Sequence, residues 1–137
     1  MTAAQPFRFA VRVYYEDTDA AGVVYYANYL KFMERARTEW LDALGFPLAA
    51  FEREHGVVFV VHRCEIDFRR PARLNDDLAV TVEVEHRGAT RLVARQEVRR
   101  ADDVLTAARV TLACMDAARW RPVRIPAPLA QRMETPA

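Results

Sequence analysis

Residues 14–41 read YYEDTDAAGVVYYANYLKFMERARTEWL, and two different periodicities meet inside them. Upstream, Phe7, Phe9, Val11 and Val13 alternate with Arg8 and Arg12, the pattern of a half-buried strand. Downstream, Tyr29, Phe32, Met33, Ala36, Trp40 and Leu44 recur at steps of three and four, which describes one apolar face of an amphipathic helix. Asn28 is the expected cap, and Gly45 with Pro47 the expected stop. Between strand and helix lies a turn holding Glu16, Asp17, Asp19 and Gly22. The first backbone N–H groups of a helix lack intrahelical acceptors. A carbonyl oxygen placed there meets preorganised donors and the positive end of the helix dipole. Asp19 therefore stands beside a candidate oxyanion site.

Working outward, Leu48 to His55 is a short amphipathic piece, and Val57 to Phe68 opens on a continuous apolar run that predicts a largely buried strand. Arg69 to Asp77, with Pro71, reads as a loop. Leu78, Val80, Val82 and Val84 alternate with Ala79, Thr81 and Glu83, and Arg87-Gly88 makes a turn. Two further strands, Arg91 to Arg100 and Val104 to Met115, flank Ala101-Asp102-Asp103 as a hairpin. Beyond Trp120, Pro122, Pro126 and Pro128 argue against a central strand and for a segment crossing the surface. The order predicts an α+β domain over residues 1–137, an antiparallel five-stranded sheet with one apolar face on a single long helix. One helix covers only part of such a sheet, so a strand edge or face is expected to be hidden by a second copy, giving a homo-oligomer.

Composition narrows the function. Apolar residues make up 52% of 137, enough for a core, and no apolar run is long enough for a transmembrane helix. The N-terminus lacks the layout of a signal peptide, so a cytoplasmic protein is expected. Residues 1–68 carry net charge −3 and residues 69–137 net charge +4. That asymmetry suits a small polyanionic ligand better than nucleic acid, which calls for a denser basic stripe. His55, His62 and His86 show no metal-ligand spacing, and no glycine-rich phosphate loop is present. No metal or other cofactor is expected. His62 and Cys64, two apart on one strand, permit a nucleophilic dyad, although a buried structural cysteine is the commoner reading.

The pattern Asp17-x-Asp19-x-x-Gly22-x-Val24-x-Tyr26, followed by Asn28-Tyr29 and a helix, resembles the hotdog-fold acyl-CoA thioesterases of the 4-hydroxybenzoyl-CoA thioesterase family, and most closely their Tol-Pal-associated branch. The likeness continues through FVVHRCEIDFRRPARLNDDL and RGATRLV. On local sequence alone, Asp19 is a turn residue closing an Asx-type hydrogen bond, and Asp17 and Glu16 are solvated turn charges. The resemblance implies a hotdog fold, makes Asp19 the catalytic carboxylate and makes the Tyr26 N–H the donor that polarises the thioester carbonyl. It implies that Gly22, Val23 and Tyr25 border the acyl-CoA substrate, and that Arg87 and Arg91 meet CoA phosphates at the edge of a subunit interface. The same branch carries histidine where this chain has Tyr26, and tyrosine there is similar to the aroyl-CoA enzymes. Arg69, Arg70 and Arg73 are further phosphate candidates, set against a solvated loop paired to Asp76 and Asp77. A dehydratase of the same fold would use a histidine absent from this motif, and intact Asp19 and Gly22 speak against a non-catalytic binding protein of the envelope machinery, which a thioesterase assay would exclude.

Overall fold

Period-two alternation becomes five strands: β1 (Phe7–Arg12), β2 (Val57–Phe68), β3 (Asp77–Arg87), β4 (Arg91–Arg100) and β5 (Asp103–Asp116). The helices are α1 (Asn28–Ala43), α2 (Leu48–His55) and a single turn, α3 (Ala127–Ala130). These come from a computed structural model that describes residues 5–133. Every pairing is antiparallel and the strand order is β1-β3-β4-β5-β2. The β3-β4-β5 meander turns at Gly88 and at Ala101, the latter in the left-handed region with φ of 52°. β1 and β2 occupy opposite edges of the sheet, so the chain between them must cross its full width. That crossing is α1 and α2, and it leaves the sheet wrapped around α1.

The helix period settles which face turns inward. Tyr29, Phe32, Met33, Ala36, Trp40 and Leu41 are buried, with Phe32, Met33 and Ala36 fully so. They share one cluster with Leu78, Val80, Val82 and Val84 of β3, Leu92, Ala94 and Val98 of β4, and Val110 and Leu112 of β5. Each large side chain in that cluster contributes about 1.5–3 kcal/mol by leaving water. The polar Gln96 is fully buried on β4. Its Nε2 donates to the Met33 carbonyl at 3.0 Å and its Oε1 accepts from Arg37 Nη1 at 2.8 Å, so α1 is bonded to the sheet as well as packed on it.

Three expectations change. Asn28 does not cap α1. It is the first helical residue, preceded by Ala27, and its side chain bonds elsewhere. The end behaves as read, with Gly45 at φ of 91°. β2 is not largely buried: Val57 alone is, and residues 61–65 are exposed, because β2 is an edge strand whose outer side has no neighbour among the described residues. The proline-rich tail does not merely cross the surface. Pro126 starts α3, and Ile125, Leu129 and Met133, spaced four apart, are buried against the core. Substituting Phe32→Ala should open a cavity under α1 and lower unfolding free energy by about 3–5 kcal/mol in a urea titration, whereas Leu30→Ala on the exposed face should cost far less.

Candidate active site

After β1 the chain is pinned to the 70–76 loop. The Val13 N–H donates to the Asp76 carbonyl at 2.9 Å, and the Asn75 N–H to the Val13 carbonyl at 3.0 Å. A 3₁₀ turn, Tyr15–Asp17, follows. Asp17 is only 6% exposed. Its Oδ2 accepts from the Tyr14 N–H and its Oδ1 from Asn28 Nδ2, both at 2.9 Å, while its carbonyl accepts from the Tyr25 N–H at 2.9 Å. Asp17 is therefore no solvated turn charge. It ties strand end, turn and helix start into one unit, and Asn28 is spent on that tie instead of on a cap. The sequence signal was the Asp17–Asn28 pair, an acceptor and a donor on either side of the turn. Glu16 does lie in solvent.

Beyond Asp17 the chain folds into a small loop with Asp19 at its head. The Asp19 N–H donates to the Val23 carbonyl and the Gly22 N–H to the Asp19 carbonyl, each at 2.9 Å, and Thr18 and Val24 form a bridge. Gly22 has φ of 80°, which a side chain would strain. Asp19 Oδ1 accepts from the Ala21 N–H at 2.9 Å, so the Asx-type turn is formed and the exposed carboxylate keeps Oδ2 for other work. The loop rests on the 70–76 segment through the Val23–Arg73 bridge and the Val24 N–H to Ala72 carbonyl bond of 2.9 Å. Ala72 returns an N–H bond to the Tyr29 hydroxyl at 3.0 Å, and burial pushes the Tyr29 pKa up.

At the helix start, the N–H groups of Asn28, Tyr29 and Leu30 bond back to Tyr25, Tyr26 and Ala27 carbonyls. Among the described residues the N–H of Tyr26 has no acceptor. Beside it opens a cleft of about 240 Å³ between Tyr26, Tyr29, Phe68, Arg69, Arg70 and Pro71. Phe68 is its floor: Tyr26 meets it edge-on with ring centroids 6.1 Å apart and Tyr29 at 5.6 Å. Tyr25, 45% exposed, leans on Tyr26. An exposed carboxylate, a free backbone donor and an aromatic cleft are thus brought to one end of the molecule.

Of the remaining candidates, Arg69 and Arg70 line that cleft and the others do not. Arg87 and Arg91 flank the Gly88 turn at the far end of β3, about 33 Å along the strand from the Asp77 end that borders the Asp19 loop. Arg87 Nε donates to the Met133 carbonyl at 3.3 Å, and Arg91 is exposed. Arg70 meets Asp103 at 3.7 Å in an exposed pair of little worth. Asp76 pairs with Arg100, at 2.7 Å, and takes the Arg73 N–H at 2.8 Å. The β2–β5 register slips between Val61 and Arg63, at His62, so the regular alternation behind the His62–Cys64 reading is interrupted there. Cys64 is exposed, not a buried structural thiol, and desolvation by its neighbours pushes its pKa up, away from a thiolate. Cys114 is the buried one, raised to about 11 by burial. Among the described residues no cluster of His, Cys, Asp and Glu has the makings of a metal centre, and no helix is long and apolar enough to cross a membrane.

A sheet wrapped over one helix, with a carboxylate loop before the helix start and an aromatic cleft beside it, defines a hotdog-fold protein of the thioesterase class. The Thioesterase-like superfamily matches residues 13–133, and the chain belongs to it. It is 47% identical over 121 residues to the acyl-CoA thioesterase YbgC of Haemophilus influenzae, covering 88% of each chain. It is 43% identical to the acyl-CoA thioester hydrolase YbgC of Escherichia coli, covering 88% of this chain and 90% of that one. Among solved structures, a probable thioesterase from Bartonella henselae superposes with a TM-score of 0.84 at 33% identity, over 89% of this chain and all of the other.

Two predictions test the framework of the site. Asp17→Ala leaves the Tyr14 N–H and the Asn28 amide without their acceptor and should cost about 1–3 kcal/mol in chemical denaturation. At Asp76, desolvation pushes the carboxyl up, but the Arg73 N–H and Arg100 outweigh it and hold the pKa below its ordinary value. The stability this supplies is complete above the unfolded pKa of about 3.9 and is lost as pH falls through the lower folded value. Thermal melts from pH 6 to 2.5 should show that loss, and Arg100→Met should flatten it.

Proposed function

We propose that Asp19 is the catalytic carboxylate of this acyl-CoA thioester hydrolase and that the Tyr26 N–H stabilises the oxyanion formed on the thioester carbonyl. The observation that carries this reading is the Asp17–Asn28 lock. It holds the Asp19 loop immediately before a helix start whose Tyr26 donor is unspent. Negative charge developing on the carbonyl oxygen is met there by a fixed N–H and the helix dipole, with no reorganisation at the moment of reaction. The carboxylate acts either on the thioester carbon, giving a mixed anhydride that water then opens, or on a water that attacks the same carbon. In both, the thiolate of CoA leaves and the acid is released. Gly22 supplies the left-handed turn, Val23 and Tyr25 border the acyl group, and the cleft floored by Phe68 receives it. The relatives named for acyl-CoA hydrolysis support the substrate class.

The site is completed by a second copy. β2 is a 12-residue edge strand with Val61 exposed, and such an edge invites a pairing partner. Phe68 ends β2 at the Tyr26 cleft, whereas Val57 begins it opposite Asp116, at the end where Cys114 bonds to Thr90 next to the Gly88 turn. Antiparallel pairing of two β2 strands about a two-fold axis carries the partner's Gly88 turn to the Asp19 end. Arg87 and Arg91, remote from Asp19 within one chain, then serve the CoA phosphates of the other chain's site.

Asp19→Asn should lower turnover by about a hundredfold or more while leaving the melting temperature near that of the parent, and near-normal hydrolysis by the folded variant would move the chemistry elsewhere. Tyr26→Phe should have a much smaller effect, since the backbone is the donor. Arg87→Ala should raise KM for acyl-CoA with kcat little changed, and the penalty should vanish on a pantetheine thioester that lacks the nucleotide phosphates.

A further inference from the structure

A second cavity, of about 160 Å³, opens under the C-terminal half of α1, with apolar walls from Trp40, Leu41, Phe59, Leu92, Leu112 and Met133. Trp40 lies about 18 Å along the helix from Asn28, so within one chain this cavity is separate from the Tyr26 cleft. Glu34, Arg37 and Thr38, on one turn of α1, form its polar rim. Their bonding is uneven. Glu34 Oε1 accepts from the Thr38 hydroxyl at 2.8 Å. Arg37 is half-buried, and its one side-chain hydrogen bond among the described residues goes to Gln96 Oε1, a neutral acceptor held in place by the Met33 carbonyl. No carboxylate lies within ion-pair distance of Arg37 among those residues.

A guanidinium carries five N–H donors in a planar fork, and one is spoken for here. Taking that cation partly out of water is unfavourable unless an anion offsets it, and burial accordingly pulls the Arg37 pKa down from its ordinary value, against the opposing pull of the nearby Glu34 charge. The occupant that satisfies both halves of the site has one carboxylate for the fork and a compact apolar body for the walls. A phosphate would bring further charge towards Glu34 and place nothing against Trp40 or Leu112. The volume is below the range of about 300–1,000 Å³ typical of drug-sized ligands, which limits the body to a short aliphatic chain or a single ring.

We propose that this cavity binds a small monocarboxylic acid, with its carboxylate on Arg37 and its apolar body against Trp40, Leu41 and Leu112. The acid freed by thioester hydrolysis belongs to the same chemical class, so the cavity is a place where product feeds back on the enzyme. That last clause rests on the proposed function; the binding itself rests on Arg37 and the cavity alone.

Trp40 reports directly on occupancy. In a Trp120→Phe variant, where Trp40 is the remaining tryptophan, titration with hexanoate or benzoate should give a saturable change in emission, and the uncharged hexanamide or benzamide should bind at least about tenfold more weakly. Adding Arg37→Gln should weaken the acids by about tenfold or more and leave the amides unchanged. Glu34→Gln should tighten the acids severalfold by removing a nearby like charge. Asp19→Asn, which removes the proposed catalytic group, should leave the titration as it was. The proposal is overturned if acid and amide titrate alike, if the Arg37→Gln protein binds the acids undiminished, or if Asp19→Asn abolishes the response. It is equally overturned if Trp40 emission follows protein dilution and ignores the acids, the sign that a second copy fills the cavity. Should Arg37→Gln fail to fold, the acid and amide comparison on the Trp120→Phe protein decides the matter by itself.

Discussion

The burial of one face of α1 against one face of the sheet is the constraint on which everything else rests. β1 and β2 form opposite edges, so the intervening chain has to traverse the sheet, and the traverse is favourable because Phe32, Met33 and Ala36 leave water entirely while the Leu78 to Val84 row leaves it from below. Gln96 adds direction to that nonpolar contact. A fully buried amide that must find partners accepts one orientation of α1, in which it meets the Met33 carbonyl and Arg37 together. Once α1 is placed, its N-terminus and the donors there are placed as well.

The Asp19 loop is then a consequence of local bonding around that fixed point. Asp17 joins strand end to helix start, and Gly22 allows the chain to double back. The 70–76 segment, braced by Asp76 and Arg100, supplies the shelf on which Val23 and Val24 rest. The Asp19 side chain contributes one bond to this arrangement, from the Ala21 N–H, and stays in solvent. Structural load falls on Asp17, whereas Asp19, two residues on, is exposed.

The two ends of the sheet differ in kind. One carries the carboxylate loop and aromatic cleft; the other carries the Gly88 turn with its arginines and the apolar cavity rimmed by Arg37. A 12-residue edge strand, its outer side without a neighbour among the described residues, runs between them. Under the proposed two-fold pairing on that edge, unlike ends stand side by side, and residues too far apart in one chain would serve one substrate.

Much of this was legible in the residues. Strand and helix boundaries follow from periods of two and three to four, because those periods are the geometry of the backbone itself, and β4 and α2 fall where the alternation and the amphipathic run put them. Gly22 and Gly45 announced their turns because few other residues adopt positive φ cheaply. The carboxylate pattern and the helix after it were enough to suggest the family. The sequence could not say which of two neighbouring aspartates is buried, since that depends on Asn28 coming within 2.9 Å of Asp17 from eleven residues away. Nor could it say that the apolar run of β2 lies on an exposed edge, that the β2 register slips at His62, or that the proline-rich tail packs Leu129 and Met133 into the core. Local pattern reports what a residue prefers. Strand order and the path of α1 decide which neighbours it meets, and those are properties of the assembled sheet.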